Sequence, residues 1–161
     1  MVNNVENEGK VKKISKFRMG LKFVRLFLYR IRKRAWFLPT IDEMTTDELL
    51  DRINTNLAPL LIDLRGEDEF NGIGENSYMT VLGHIPNAKR MGIMELSSNL
   101  ENLQSYVYDY KEKEIVTICP GGGMSLIAVE IMTDAGFTEV KSLKGGIWEW
   151  HKKEYPVTTT S

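Results

Sequence analysis

The chain has 161 residues, 42% of them hydrophobic, which is the length of one domain with enough apolar material to bury a core. A single cysteine excludes an intrachain disulfide framework, and with only two histidines no ligand set for a structural metal site remains. The net charge of −1 conceals a division: residues 1–36 carry eleven basic residues against Glu6 and Glu8, a charge of +9, and the remainder carries ten basic residues against twenty acidic ones, a charge of −10.

The basic arm, residues 1–38, comes first. Phe17, Leu21, Val24, Leu28, Ile31 and Ala35 recur at spacings of three and four, beside a stripe of Arg18, Lys22, Arg25 and Arg32. That period predicts an amphipathic helix with an apolar and a cationic face, ending before Pro39. Lys22, Arg25 and Arg30 interrupt any membrane-spanning run and spoil a secretory signal, while Glu6 and Glu8 argue against a transit peptide. The helix has three candidate partners: the acidic body, an anionic membrane surface met through residues 10–36, or a protein or nucleic acid. Nucleic acid ranks last and is not expected as a partner, because an acidic body repels phosphate backbones. The expected location is cytoplasmic, peripheral at a membrane if the arm meets lipid.

Residues 39–156 form the body, followed by a tail at 157–161. Ile41–Met44 reads as a short strand, and Thr45 with Glu48 offers a helix cap before Leu49, Leu50 and Ile53. Leu60–Asp63 is an apolar run of strand length. Residues 72–82 read as a long polar loop leading to a third strand. Ser98 with Glu101 resembles a second capping box, opening a helix through Leu103, Val107 and Tyr110. Glu114–Cys119 is a β-branched strand ending in the thiol. A helix apolar almost all round is expected from Ser125 to Ala135, with Gly136 ending it. Val140–Leu143 is a fifth strand, and Gly145-Gly146 turns into a closing segment holding Trp148 and Trp150. Strands alternating with helices predict an α/β fold, a parallel sheet covered on both faces.

The chemistry concentrates in Cys119-Pro120-Gly121-Gly122-Gly123-Met124-Ser125. In an open α/β sheet, ligands sit beyond the carboxyl ends of the strands. A thiol there, entering a helix through three glycines, lies in the positive field of the helix N-terminus. The amides of Gly121, Gly122, Gly123, Met124 and Ser125 can turn inward as an anion-binding nest, whereas Pro120 has no N–H to offer. This arrangement favours nucleophilic attack by Cys119. The alternative is a cysteine that is merely a small buried apolar residue.

The same residues resemble the active-site loop of rhodanese-type sulfurtransferases. Leu61–Arg65, Glu69-Phe70 and Gly83–Ala88 are similar to that family's first signature, and Ala135–Phe137 with Leu143–Trp148 to its C-terminal one. The similarity runs in the family's order from about Ile41 to Pro156 and leaves the arm outside. The resemblance implies a five-stranded, mostly parallel sheet flanked by helices. It also implies a sulfurtransferase that holds sulfane sulfur as a persulfide on Cys119 and passes it to a thiol, cyanide or a sulfur-carrier protein, without a metal or organic cofactor. Asp63, Arg65, Glu69 and His84 are expected as structural support: Arg65 paired with a carboxylate near the loop, His84 hydrogen-bonded within a turn.

Members of that family active on thiosulfate commonly carry arginine or lysine where Met124 stands. Without that cation, and with an acidic body, weak thiosulfate activity is expected, the donor being instead a thiol persulfide or a protein. Related cysteine phosphatases need a longer loop ending in arginine, which is absent. The competing reading is a catalytically silent rhodanese-like interaction module recruited through its basic helix. Met91, Met94 and Met124 are expected to pack or to form an apolar mouth, Trp148 and Trp150 to be core or rim aromatics, and His151, Lys152 and Lys153 to be solvated.

Overall fold

A computed structural model describes residues 41–75, 77, 80–98 and 114–159, together with Gly20, Leu21 and Val24. The expected arm helix lies outside the described residues except for those last three, which are helical, with Leu21 and Val24 exposed. The helix expected beyond Ser98 lies outside them as well.

The described elements run β1 (Glu43–Met44), α1 (Thr46–Asn54), β2 (Leu60–Asp63), α2 (Glu67–Asn71), β3 (Lys89–Arg90), α3 (Ile93–Ser98), β4 (Ile115–Ile118), α4 (Gly123–Asp134), β5 (Val140–Leu143) and α5 (Gly146–Lys152). The strands form one sheet in the order β1-β5-β4-β2-β3, and every pairing is parallel. Both faces are covered, so β4 is buried throughout. Ile115 and Cys119 point to a cluster built with Leu96 of α3 and Ile127, Ala128 and Ile131 of α4. Val116 and Ile118 point the other way, to Leu49 of α1, Phe70 of α2 and Ile147 and Trp150 of α5. A strand with period-two side chains buried on both sides reads as a continuous apolar run, which is why Ile115–Ile118 shows no alternation.

Two element boundaries differ from expectation. Residues Ile93–Ser98 form α3, a helix not expected there, and Ser98 is its last described residue. The Glu95 carboxylate turns back to the Gly92 amide at 3.1 Å, holding the N-terminus without the Ser/Thr signal that marks most caps. Helix α4 opens at Gly123, two residues ahead of the expected Ser125, because Gly122 takes the left-handed conformation (φ 88°) and serves as its N-cap. At α1 the expected cap is present in part: Thr45 Oγ1 accepts from the Glu48 amide at 3.2 Å, while the Glu48 carboxylate pairs with Arg52.

Lys153, expected to be solvated, instead ties the end of α5 to the start of α1. Its ammonium lies 2.7 Å from Asp47 Oδ1, which also accepts from the Tyr155 hydroxyl at 2.5 Å. The Lys153 hydrogen bond, then that of Tyr155, holds the Asp47 carboxyl below its ordinary 3.8. The same carboxylate raises Lys153 and Tyr155, in each case chiefly through the hydrogen bond. A depressed carboxyl stabilises the fold above its unfolded value and stops doing so as pH falls through the folded one. The raised lysine and tyrosine stabilise it below their unfolded values and stop as pH rises through the folded ones. The melting-temperature gap between wild type and Asp47→Asn should therefore be open at neutral pH, persist down to about pH 3.8 and close as the pH is taken well below it; a gap that stays unchanged well below that pH would remove the carboxylate from the account.

Candidate active site

Strand β4 is central, so Cys119 at its carboxyl end stands in the middle of the sheet's C-terminal edge. Cys119 is buried, at 1% exposure. Its Sγ accepts hydrogen bonds from the Gly122 amide at 3.2 Å and the Ser125 amide at 3.4 Å, and lies 3.2 Å from Ser125 Oγ. Of the five amides expected in the nest, these two donate to the sulfur. Ser125 lies in the first turn of α4, where amides have no carbonyl partner within the helix. The sulfur takes that partner's place, as a capping side chain would. Every donor faces the sulfur with a hydrogen, the polarity that a thiolate or persulfide anion requires.

The loop is held from below by Thr117, whose hydroxyl donates to the Ser125 carbonyl at 3.1 Å and the Lys141 carbonyl at 3.2 Å. From outside it is held by α5. The amides of Ile147 and Trp148 donate to the carbonyls of Cys119 and Pro120 at 3.0 and 3.1 Å. A Cβ on Gly146 would collide with both carbonyls, and one on Gly121 would sit 2.9 Å from the Trp148 ring. Gly146 and Trp148 are thus parts of the site. The resemblance pointed to their segment, but the loop's own residues held no sign of it, because the contact joins residues far apart in the chain.

Gly122→Ala tests the amide at the sulfur. A side chain at φ 88° costs about 1–2 kcal/mol, and the added Cβ would press the Gly145 amide at 3.3 Å. The variant should lose about that much stability in urea denaturation and react more slowly with iodoacetamide at Cys119; wild-type alkylation kinetics would show that the amide has no part in activating the sulfur.

The four expected supporting residues form a separate layer. Arg65 and Asp63 make a buried ion pair, with Nη2 2.7 Å from Oδ2 and Nε 3.0 Å from Oδ1. Arg65 also donates to the carbonyls of Val81 and Gly83, each at 2.6 Å. Asp63 stands in register with Ile118, one residue before the cysteine. His84 Nδ1–H donates to the Phe70 carbonyl at 2.8 Å and the ring stacks on Phe70 at 3.7 Å. Glu69 accepts from the Gly66 amide at 3.3 Å. None of these side chains makes a hydrogen bond to the cysteine loop. Met91 and Met124 pack against the cluster that holds Cys119, whereas Met94 is exposed, so the three do not share a mouth.

A groove of about 660 Å³ opens beside the loop. Gly121 and Gly122 line it together with Glu43, Thr45, Lys144 and Gly145. It reaches the sulfur's own hydrogen-bond partner, Gly122.

Sequence comparison matches residues 45–153 to the rhodanese-like domain family. A tRNA uridine(34) hydroxylase of Rhodococcus erythropolis is 33% identical over 135 residues, covering 80% of this chain and 47% of that protein. The chain therefore spans about half the length of that relative. Among solved structures, a rhodanese-related protein from Thermoplasma volcanium matches with a TM-score of 0.58 and 24% identity, over 74% of this chain and 99% of that one. A thiosulfate sulfurtransferase from Pseudomonas aeruginosa matches with a TM-score of 0.64 and 16% identity, over 87% of this chain and 23% of that one. Among the described residues, no helix is long and apolar enough to cross a membrane.

Proposed function

The chain belongs to the rhodanese-like domain family, and from that premise we propose that it is a sulfurtransferase carrying sulfane sulfur as a persulfide on Cys119. The observation that carries this reading is the pair of amides, Gly122 and Ser125, aimed at one buried sulfur at the end of the central strand. In the first half-reaction the Cys119 thiolate attacks the outer sulfur of a persulfide R–S–SH. The S–S bond of the donor breaks, R–S⁻ leaves, and Cys119 becomes Cys–S–SH. In the second, a thiolate or cyanide attacks that outer sulfur and releases the Cys119 thiolate, so no external oxidant or reductant is consumed. The amides hold the negative sulfur before the first attack and after the second.

The loop contains no cation. Met124, at the position where a guanidinium would meet a dianion, is packed against the core. Thiosulfate is accordingly a poor donor in this scheme, and a thiol persulfide a good one. Intact-mass analysis after incubation with glutathione persulfide should show one added sulfur atom that cyanide removes as thiocyanate; no adduct on the wild-type chain would overturn the proposal.

A second reading follows from the hydroxylase relative, 33% identical over most of this chain. On it, the cysteine would serve the oxidation of a tRNA uridine. Mass analysis of nucleosides from tRNA incubated with the protein distinguishes the two, since that reading requires an added oxygen on uridine.

A further inference from the structure

The groove beside the loop carries five charged side chains, Glu43, Asp47, Lys144, Glu149 and Lys153. Three are engaged with one another or with neighbours. Asp47 is held by Lys153 at 2.7 Å and by Tyr155, and Glu149 faces Lys152 at 4.0 Å. Glu43 and Lys144 are exposed. Among the described residues, their side chains make no ion pair or hydrogen bond within the protein.

Their placement follows from the sheet. Glu43 is in register with Ser142, and the ladder continues through Lys144, whose amide donates to the Met44 carbonyl at 2.9 Å. Lys144 opens the turn directly after β5, two residues beyond Ser142, and lines the same groove as Glu43. From the strand spacing and rise, their Cα atoms are about 8 Å apart. Their flexible side chains can therefore close on a small molecule bearing both signs. Gly145 and Gly146 follow directly, and the absent Cβ of Gly146 is what lets this segment lie against the Cys119 carbonyl.

We infer that Glu43 and Lys144 are positioning residues for a low-molecular-weight thiol that carries an α-amino acid group, its carboxylate on Lys144 and its ammonium on Glu43. The inference rests on the sulfur-transfer reading for the chemistry, and on the groove alone for the binding. It sharpens the donor class. A zwitterion satisfies both free charges, whereas a dianion such as thiosulfate meets three carboxylates and two lysines, one of which is already paired with Asp47. Lys144 supplies, from outside the loop, a cation that the loop lacks. Neither residue touches the reacting sulfur; each acts by holding the far end of the donor.

Two probes separate binding from chemistry. S-methylcysteine cannot transfer sulfur, so its titration into ¹⁵N-labelled full-length protein reads the groove alone. The expected result is a saturable shift of the Gly121 and Gly122 amides, weakened about tenfold in Lys144→Gln and in Glu43→Gln and recovered in Lys144→Arg. In sulfur-uptake kinetics, Lys144→Gln should raise KM about tenfold for cysteine persulfide and for 3-mercaptopropionate persulfide, which lacks the amine, with kcat changed less than twofold. Glu43→Gln should raise KM for cysteine persulfide only. No shift in the wild-type protein, or shifts and KM values within twofold in both variants, would overturn the inference. Saturable binding without any sulfur adduct would keep the groove site and overturn the sulfur-transfer reading instead.

Discussion

Cys119→Ser should yield a folded protein that takes up no sulfur. The serine hydroxyl is smaller than the thiol but accepts hydrogen bonds, so the amides of Gly122 and Ser125, now at 3.2 and 3.4 Å from the sulfur, retain an acceptor. The cost to stability is then of the order of a single buried substitution, about 1 kcal/mol. The cost to reactivity is complete, because a hydroxyl oxygen cannot hold a sulfane sulfur and cannot act as the soft nucleophile that opens an S–S bond. Intact mass after exposure to glutathione persulfide should show the unmodified chain, and thermal melting should remain cooperative. The same cyanide-labile adduct on the variant as on the wild type would place the chemistry elsewhere and defeat the persulfide proposal.

Arg65→Met should be the most destabilising single change among the supporting residues. It leaves Asp63, fully buried, without its charge partner, and strips the donor from the Val81 and Gly83 carbonyls. Breaking a buried pair from one side costs about 3–5 kcal/mol, which for a domain of this size lowers the melting temperature by roughly 10 °C or more. Asp63 stands in register with the residue before Cys119, so the loss propagates to the strand end that presents the sulfur. The double variant Asp63→Asn, Arg65→Met removes the orphaned charge and should recover part of the loss. A single variant that melts within 2 °C of the wild type, roughly the width of 0.5 kcal/mol, would mean that water or another cation replaces Arg65.

Much of this is legible in the amino-acid sequence. The alternation of apolar runs with helical periods implied a parallel α/β sheet, and the Ile115–Cys119 run with three glycines after it located the nucleophile. The missed boundaries share one physical cause, that a helix start without a Ser, Thr, Asp or Asn cap carries a weak local signal. Gly123 and Met124 join α4 because Gly122 can take a left-handed turn and the sulfur caps the first turn. Helix α3 starts without a hydroxyl cap because Glu95 reaches back to Gly92. Both depend on partners that helix propensity does not register. Lys153, in a run of His and Lys that reads as solvated, is fixed by Asp47, 106 residues away.

What the amino-acid order determined by itself was local: the strand, the thiol at its end, the glycines that free the following amides, and the absence of a cation among them. These follow from side-chain chemistry and backbone freedom within a few residues. Tertiary packing decided which amides reach the sulfur, that α5 braces the loop through the bare Gly146, and that Lys144 and Glu43 face one groove with no partner among the described residues. Each of those is a meeting of segments distant in sequence, set by strand order and register, and no local pattern encodes it.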